Sequence, residues 1–184
     1  MKSLAEKQVK VFESLKDELG LDNIMDTPRI EKIVVNVGTG SRQKKDRFAN
    51  DFIAEQLAKI TGQMPVIKMA KTSIAGFKIR EGDKIGQAIT LRGEQMRSFF
   101  DKLINIALPR TKDFRGLETK SIDEMGNFTI GIKDHTIFPE TGDEELHKIF
   151  GLSVTVVTTA TDKKSAEAYL RFLEVPFKKI KKAE

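Results

Sequence analysis

Apolar and polar side chains alternate with a period of two along several short segments of this chain. Over residues 30–37, Ile33, Val35 and Val37 fall on one side of an extended chain, and Asn36 falls on the other. The same pattern, rich in β-branched residues, predicts strands over residues 30–37, 65–70, 85–92, 128–132 and 152–159. Because a parallel sheet covered on both sides would be apolar throughout, this alternation predicts a mainly antiparallel sheet with one open face.

Other segments repeat apolar residues at the helical period, and the helices that they predict would pack on the apolar face of the sheet. Ser3 and Glu6 have the spacing of a capping box at the start of the first helix. Helices are predicted over about residues 3–20, from 48 to a stop at Gly62, from 96 to a stop at Pro109, over 143–150, and from 162 to shortly before Pro176. The expected fold class is α+β, as a single domain over residues 1–184 with a lysine-rich tail at 178–184.

The composition is that of an ordinary globular protein, with 39% hydrophobic and 32% charged residues. The sequence contains no cysteine, so disulfides and thiolate metal sites are excluded, and a reducing cytoplasm is the expected compartment. No apolar run approaches the roughly 20 residues that span a bilayer, and no export signal is visible. We expect no membrane association, no metal and no cofactor.

Positive charge is concentrated in two predicted loops, although the net charge of +5 is by itself weak evidence for a polyanionic partner. Four cations and no acid lie between Lys68 and Arg80, and four cations accompany Asp46 between Arg42 and Arg47. The loops over residues 68–83 and 110–126 are long, which is typical of functional or disordered segments.

Two short motifs resemble catalytic or cofactor sites. Gly38-Thr39-Gly40 follows a strand as a dinucleotide-binding turn would, but Gln43 occupies the position of the third glycine. A tight turn that needs glycine at positive φ is the better interpretation. Asp134 and His135 are adjacent, and neighbours on an extended chain point to opposite sides, so a solvated or capping histidine is favoured over a catalytic pair.

The open sheet face is the more specific signal, because it carries short polar side chains on a rigid surface. These are Asn36, Thr90, Arg92, Ser153, Thr155 and Thr159. Such groups suit the riboses and phosphates of an RNA minor groove, although a merely solvated face has the same pattern. In the basic loop, Phe77 either stacks on a base or pins the loop to the body. The run Ala75-Gly-Phe-Lys-Ile79 matches an RNA-recognition motif only poorly, since the other aromatic residues are missing.

A series of longer motifs then carries a family resemblance over about residues 25–178. They are Pro28-Arg-Ile-Glu-Lys-Ile33, Asn36-Val-Gly38, Ile60-Thr-Gly-Gln63, Ser73-Ile-Ala-Gly-Phe-Lys-Ile-Arg80, Thr90-Leu-Arg-Gly-Glu94, Ile106-Ala-Leu-Pro-Arg110, Asp113-Phe-Arg-Gly-Leu117, Gly126-Asn-Phe128, Ile137-Phe-Pro-Glu140 and Pro176-Phe-Lys178. In these the chain resembles the ribosomal protein L5 family, the 5S-rRNA-binding proteins of the large ribosomal subunit, and most closely its bacterial branch.

The resemblance implies a structural RNA-binding protein of the ribosome and not an enzyme. Its recognition cluster would include Asn36, Gln63 and Thr90, and we add the neighbouring cations Lys68 and Arg92 as 5S rRNA-binding residues. The extended loop over residues 71–80 would reach the tRNA in the peptidyl site through Lys71, Thr72, Ser73, Gly76, Phe77, Lys78 and Arg80. The other implied partners are 23S rRNA, a small-subunit head protein at an intersubunit bridge, and large-subunit proteins near 5S rRNA.

Two alternatives from other classes remain open at this point. One is a small nucleotide-dependent enzyme built on the Gly38-Thr39-Gly40 turn. The other is a protein-interaction module whose first helix, residues 4–19, docks in the groove of a partner.

Overall fold

The computed structural model of the protein describes residues 4–40, 49–141 and 149–178. Within these ranges the helices are α1 (Leu4–Leu19), α2 (Ala49–Thr61), α3 (Gly93–Lys102) and α4 (Lys163–Phe172). The strands are β1 (Ile30–Gly38), β2 (Val66–Met69), β3 (Lys84–Leu91), β4 (Phe128–Ile132) and β5 (Leu152–Thr158).

The described strands form one antiparallel sheet in the order β2-β3-β1-β5-β4. By its internal packing the chain divides into two compact units. Unit 1 contains Met1–Ile33, Arg92–Ile130 and Thr155–Glu184, and unit 2 contains Val34–Leu91 and Gly131–Val154. The predicted α+β class with a mainly antiparallel sheet is confirmed, whereas the single domain over residues 1–184 stays a prediction.

Alternate residues of the strands are buried, as the period of two predicted. In β1, Ile33, Val35 and Val37 are at most 3% exposed, while Asn36 between them is exposed. β5 repeats the pattern with a buried Leu152, Val154 and Val156. The alternation therefore leaves one side of these strands polar and accessible, because a period of two sends successive side chains to opposite sides.

The predicted helices in the described ranges are confirmed within a few residues. The third is the least regular, since α3 continues as a π-helical turn over Leu103–Ala107 before Pro109 ends it. The predicted helix over 143–150 falls almost wholly on residues 142–148, outside the described ranges. The cation cluster from Arg42 to Arg47 and the tail beyond Lys178 also lie outside them.

In unit 1, α1 packs against α3 and α4 and buries Leu4, Val11 and Leu15. The carboxylate of Asp101 accepts the backbone N–H of Leu4, at 3.2 and 3.1 Å from its two oxygens, so another helix caps the start of α1. Ser3, the predicted capping residue, lies outside the described ranges. These three residues of the apolar face of α1 are used inside unit 1 and are not available to fill the groove of a partner, which weakens the alternative of a docking helix.

Two loop segments of unit 1 are joined by a short backbone pairing. Leu117 N–H donates to Pro176 O at 2.8 Å, and Lys178 N–H donates to Leu117 O at 2.8 Å. The Lys178 ammonium lies 2.7 Å from the Glu118 carboxylate and lowers the pKa of that carboxyl. Gly116 precedes this pairing with φ +94, in the left-handed region that glycine tolerates.

In unit 2, α2 contacts the turn Pro139–Thr141 and is tied to β3 by one buried hydrogen bond. The Gln87 side-chain amide donates to the backbone oxygen of Asn50 at 2.6 Å. His135 is completely buried, stacks on the ring of Phe150 at 4.1 Å between centroids, and accepts the Phe150 N–H at Nδ1. The expectation of a solvated or capping histidine was therefore wrong, because an aromatic neighbour from a distant segment covers it.

The Gly38-Thr39-Gly40 segment also differs from its predicted conformation. Neither glycine has a positive φ, so the proposed reason for glycine there was wrong. Gly38 ends β1, and the Thr39 N–H donates to Ile85 O of β3 at 2.9 Å. That amide is consequently committed to the sheet and does not point at a phosphate group.

Gly116 should be indispensable for the stability of unit 1. A Cβ there would lie 2.9 Å from Lys178 N and 3.1 Å from Phe177 C, and these backbone atoms cannot move without breaking the pairing. We expect Gly116→Ala to lower the free energy of unfolding by about 2 kcal/mol or more in urea titrations, from the left-handed φ and the clash together.

Gly131→Ala is the matched control, because a Cβ at Gly131 meets nothing within 4 Å and its φ is not in the left-handed region. Its free energy of unfolding should stay within about 1 kcal/mol of the parent value. Equal losses of unfolding free energy in the two variants would contradict the assigned role of Gly116.

Candidate nucleic-acid interface

Asn36 and Thr90 lie on the accessible side of unit 2. Both are exposed, on β1 and β3 respectively, and their strand neighbours Val35, Val37, Ile89 and Leu91 are buried. An amide and a hydroxyl are thus presented on regular strands, where the backbone cannot shift to withdraw them. The exposure of both residues agrees with the period of two along their strands.

Gln63 lies in the connection between α2 and β2 of unit 2. Strand parity could not place this residue, because it precedes its strand. The Thr61 hydroxyl donates to Leu57 O at 2.7 Å and accepts the Gln63 N–H at 3.3 Å, while Gly62 adopts φ +74. These bonds end α2 and fix the Gln63 backbone with its side chain exposed. The sequence signal for this geometry was the threonine and glycine at the helix C-terminus.

Lys68 adds a cation to the side of the strands that presents Thr90. In the β2–β3 register Lys68 stands opposite Gly86 and Val66 opposite Ala88, and directly opposed residues of antiparallel strands point to one side. Continuing along β3, that side next presents Thr90. Lys68 is exposed on the edge strand of the sheet, where a lysine, the preceding Pro65 and a bulge after Lys68 all discourage pairing with another chain.

Arg92 belongs to unit 1. The sequence predicted it as a strand residue, but it lies outside the strand. β3 ends at Leu91, and Arg92 is the residue that precedes the first turn of α3. Its guanidinium, 58% exposed, lies 3.3 Å from the Glu31 carboxylate. Such a surface ion pair contributes little to stability, so the cation remains accessible but partly neutralised.

The remaining predicted hydroxyls are engaged with neighbouring groups. Ser153 Oγ lies 3.5 Å from Asn36 O in unit 2. In unit 1, the hydroxyls of Thr155 and Thr129 lie 3.1 Å apart, and Thr159 Oγ1 accepts the Arg29 N–H at 3.0 Å. Thr129 was not predicted as part of the face, although the alternation along β4 could have identified it.

The basic loop between β2 and β3 runs out and back as one hydrogen-bonded excursion. At its base, Ala70 N–H donates to Asp83 O at 2.8 Å, and Gly82 N–H donates to Ala70 O at 3.0 Å. Further out, Ile74 and Ile79 exchange two backbone bonds of 2.9 and 3.2 Å. The loop is therefore a projection whose outgoing and returning halves are joined by paired backbone groups.

Two side chains brace the returning half of the loop. Ser73 Oγ accepts the Glu81 N–H at 2.9 Å, and the Asp83 carboxylate accepts the Arg80 N–H at 2.7 Å. Lys78 has φ +52, a left-handed conformation that is unfavourable for a side chain larger than glycine and closes the 3-10 turn Ala75–Phe77. The loop is thus built as a defined structure around its tip.

The tip presents one aromatic ring among cations. Phe77 is 69% exposed, which favours stacking on a partner over pinning the loop to the body. The other loop residues named from the sequence are exposed as well, namely Lys71, Thr72, Ser73, Gly76, Lys78 and Arg80. A ring and several cations on one projection have the chemistry of a stacking contact with a nucleic acid.

No competing chemistry emerges from the described residues. Across residues 4–40, 49–141 and 149–178, no group of three or more histidine, aspartate or glutamate side chains could hold a metal ion. Within the same ranges, no helix has both the length and the apolar character to cross a membrane.

Comparison with known proteins covers nearly the whole chain. Residues 23–80 match the family described as ribosomal protein L5, and residues 84–177 match the model of the C-terminus of the same ribosomal family. The chain is 48% identical to large ribosomal subunit protein uL5 of Acidobacterium capsulatum over 95% of this chain and 96% of the relative. The uL5 proteins of Anaeromyxobacter sp. strain K and Clostridium botulinum strain Loch Maree are 47% and 48% identical, over 97% and 96% of this chain and 97% and 98% of theirs.

Asp83 should control the order of the loop. We expect Asp83→Ala to accelerate amide hydrogen exchange at Arg80 by about tenfold, because the N–H loses a charge-assisted acceptor worth roughly 1.5 kcal/mol. Residue-resolved exchange by NMR measures this effect. Glu81→Ala removes the same charge from the residue next to Arg80 without touching that bond, so its Arg80 exchange should remain at the parent rate. Equal acceleration in both variants would contradict the role of Asp83.

Proposed function

The chain belongs to the ribosomal protein L5 family, and from that premise we propose that it binds 5S rRNA and attaches it to the large ribosomal subunit. It is a structural constituent of the large subunit and not an enzyme, which removes the nucleotide-dependent alternative. Its partners include ribosomal RNA and ribosomal proteins.

The observation that carries the proposal is the set of exposed side chains in unit 2. Asn36, Gln63 and Thr90 present amide and hydroxyl groups, and Lys68 adds a cation on the side of Thr90. Amides and hydroxyls both donate and accept hydrogen bonds, as the 2′-hydroxyls of a wide RNA minor groove require. Lysine neutralises phosphate, so binding should weaken as salt is raised.

Arg92 extends this set as a cation that already has a partner. Its guanidinium is 3.3 Å from Glu31 and more than half exposed, so a phosphate would compete with that carboxylate for it. Because guanidinium pairs with phosphate in a bidentate manner, this exchange is chemically reasonable. We therefore include Arg92 among the proposed 5S rRNA-binding residues.

Asn36→Ala and Thr90→Ala should each reduce the preference for 5S rRNA over an unrelated RNA by about 1–3 kcal/mol, the range for a well-made polar base contact. Filter binding of both RNAs at moderate salt measures the difference. Ser98→Ala removes an exposed hydroxyl from α3, outside the proposed set, and should leave the preference unchanged. If the parent protein bound both RNAs equally well, the proposal would fail.

We further propose that the loop over residues 71–80 contacts the tRNA in the peptidyl site. The exposed ring of Phe77 and the cations Lys71, Lys78 and Arg80 support a stacking and phosphate contact. The hydrogen bonds that shape the loop reduce the entropy lost on binding. Thr72, Ser73 and Gly76 complete the contacting segment, with Ser73 also bracing it through Glu81.

Large subunits carrying Phe77→Ala should hold peptidyl-site tRNA about 5- to 150-fold more weakly, since stacking of one base on an aromatic ring contributes about 1–3 kcal/mol. Phe77→Tyr keeps the ring and should restore most of the affinity. Binding of 5S rRNA by the purified variants should not change. Unaltered tRNA affinity in Phe77→Ala ribosomes would remove the loop from the proposed contact.

The remaining proposed partners are 23S rRNA, a small-subunit head protein at an intersubunit bridge, and large-subunit proteins near 5S rRNA. The family resemblance supports them, and we assign no residues to these contacts. Crosslink mapping of the protein in intact ribosomes would identify the segments involved.

A further inference from the structure

Methionine is unusually accessible in this protein. Of the six methionines in the sequence, five lie in the described ranges, and only Met96 among those five is buried, at 4% exposure. Met25, Met64, Met69 and Met125 are 80%, 65%, 59% and 72% exposed. Methionine is ordinarily among the most buried residue types, and an accessible thioether is open to oxidation.

Two of these methionines flank the polar groups of unit 2. Met64 directly follows Gln63 in the connection between α2 and β2, and Met69 directly follows Lys68 in β2. The backbone of this segment is held by the Thr61 bonds at one end and by the pairing of β2 with β3 at the other. A change at either thioether therefore occurs next in sequence to Gln63 or Lys68, whose backbone positions are fixed.

We propose that Met64 and Met69 are oxidation sites through which a peroxide weakens RNA binding, an inference that rests on the proposed 5S rRNA contact. The sulfur lone pair attacks one oxygen of the peroxide, and an S–O bond forms as the O–O bond breaks. The proton on the transferred oxygen passes to the departing hydroxide, which leaves as water. Sulfur loses two electrons, the peroxide gains them, and the product is methionine sulfoxide.

The direction of the effect follows from the charge of the product. A sulfoxide oxygen carries partial negative charge and only accepts hydrogen bonds, so it repels phosphate oxygens. This repulsion opposes the binding of a polyanion, whereas the original thioether is apolar and only weakly accepting. Sulfoxide reductases reverse the modification, so the loss of binding should be reversible.

The experiment measures 5S rRNA affinity before and after treatment with hydrogen peroxide, with mass spectrometry locating the sulfoxides. Each variant is compared with its own untreated form. We expect the parent protein to form sulfoxide at the four exposed methionines well before Met96, and to lose affinity by about fivefold, the equivalent of one net polar contact. Treatment with both methionine sulfoxide reductases, one for each sulfoxide epimer, and a thiol reductant should restore binding.

Two double variants separate the sites. Met64→Leu with Met69→Leu should make affinity insensitive to peroxide, because leucine keeps the volume and has no sulfur. Met25→Leu with Met125→Leu removes two similarly exposed thioethers from unit 1 and should leave the fivefold loss intact.

Three outcomes would overturn the inference: unchanged affinity with Met64 and Met69 fully oxidised, protection by the unit 1 pair instead, or oxidation of Met64 and Met69 no faster than that of Met96. Failure of the untreated protein to prefer 5S rRNA is a separate result. It would overturn the proposed function and, with it, the effect on binding, while the site-resolved oxidation rates would still be measured.

Discussion

Burial of every second side chain along the strands is the constraint on which the rest of the structure depends. Each fully buried valine, isoleucine or leucine contributes about 1.5–3 kcal/mol, so the register of a strand such as β1 cannot slip by one residue. The same constraint determines which residues are accessible on the opposite side of the strand. Asn36 is accessible because Val35 and Val37 are buried, and its amide is held by a backbone that the core has already fixed.

The basic loop follows a different principle, because it has little core of its own. Its order comes from backbone pairing of Ile74 with Ile79 and from the side chains of Ser73 and Asp83, which accept N–H groups of the returning segment. A projection held by hydrogen bonds can carry an exposed ring such as Phe77 without collapsing it onto the body. Rigid presentation of this kind reduces the ordering cost when a partner is bound.

Local patterns were reliable where a residue's surroundings are set by its own segment. Strand parity placed Asn36 and Thr90, and Gly20 and Gly62, the last residues of two predicted helices, both adopt positive φ. Sequence patterns failed where a residue's surroundings are set by a distant segment of the chain. His135 was expected to be solvated or to cap a helix, yet it is buried against the ring of Phe150, and no spacing in the sequence relates those two residues.

The sequence by itself determined the α+β class, the accessible side of the strands and the concentration of cations in the basic loop, because these depend on periodicity and composition. Only the tertiary structure decided that Asp101 caps α1, that Gln63 is fixed by Thr61, and that Arg92 pairs with Glu31. Hydrogen bonds and ion pairs act over about 3 Å, so they depend on the approach of separate segments, which a one-dimensional pattern does not encode.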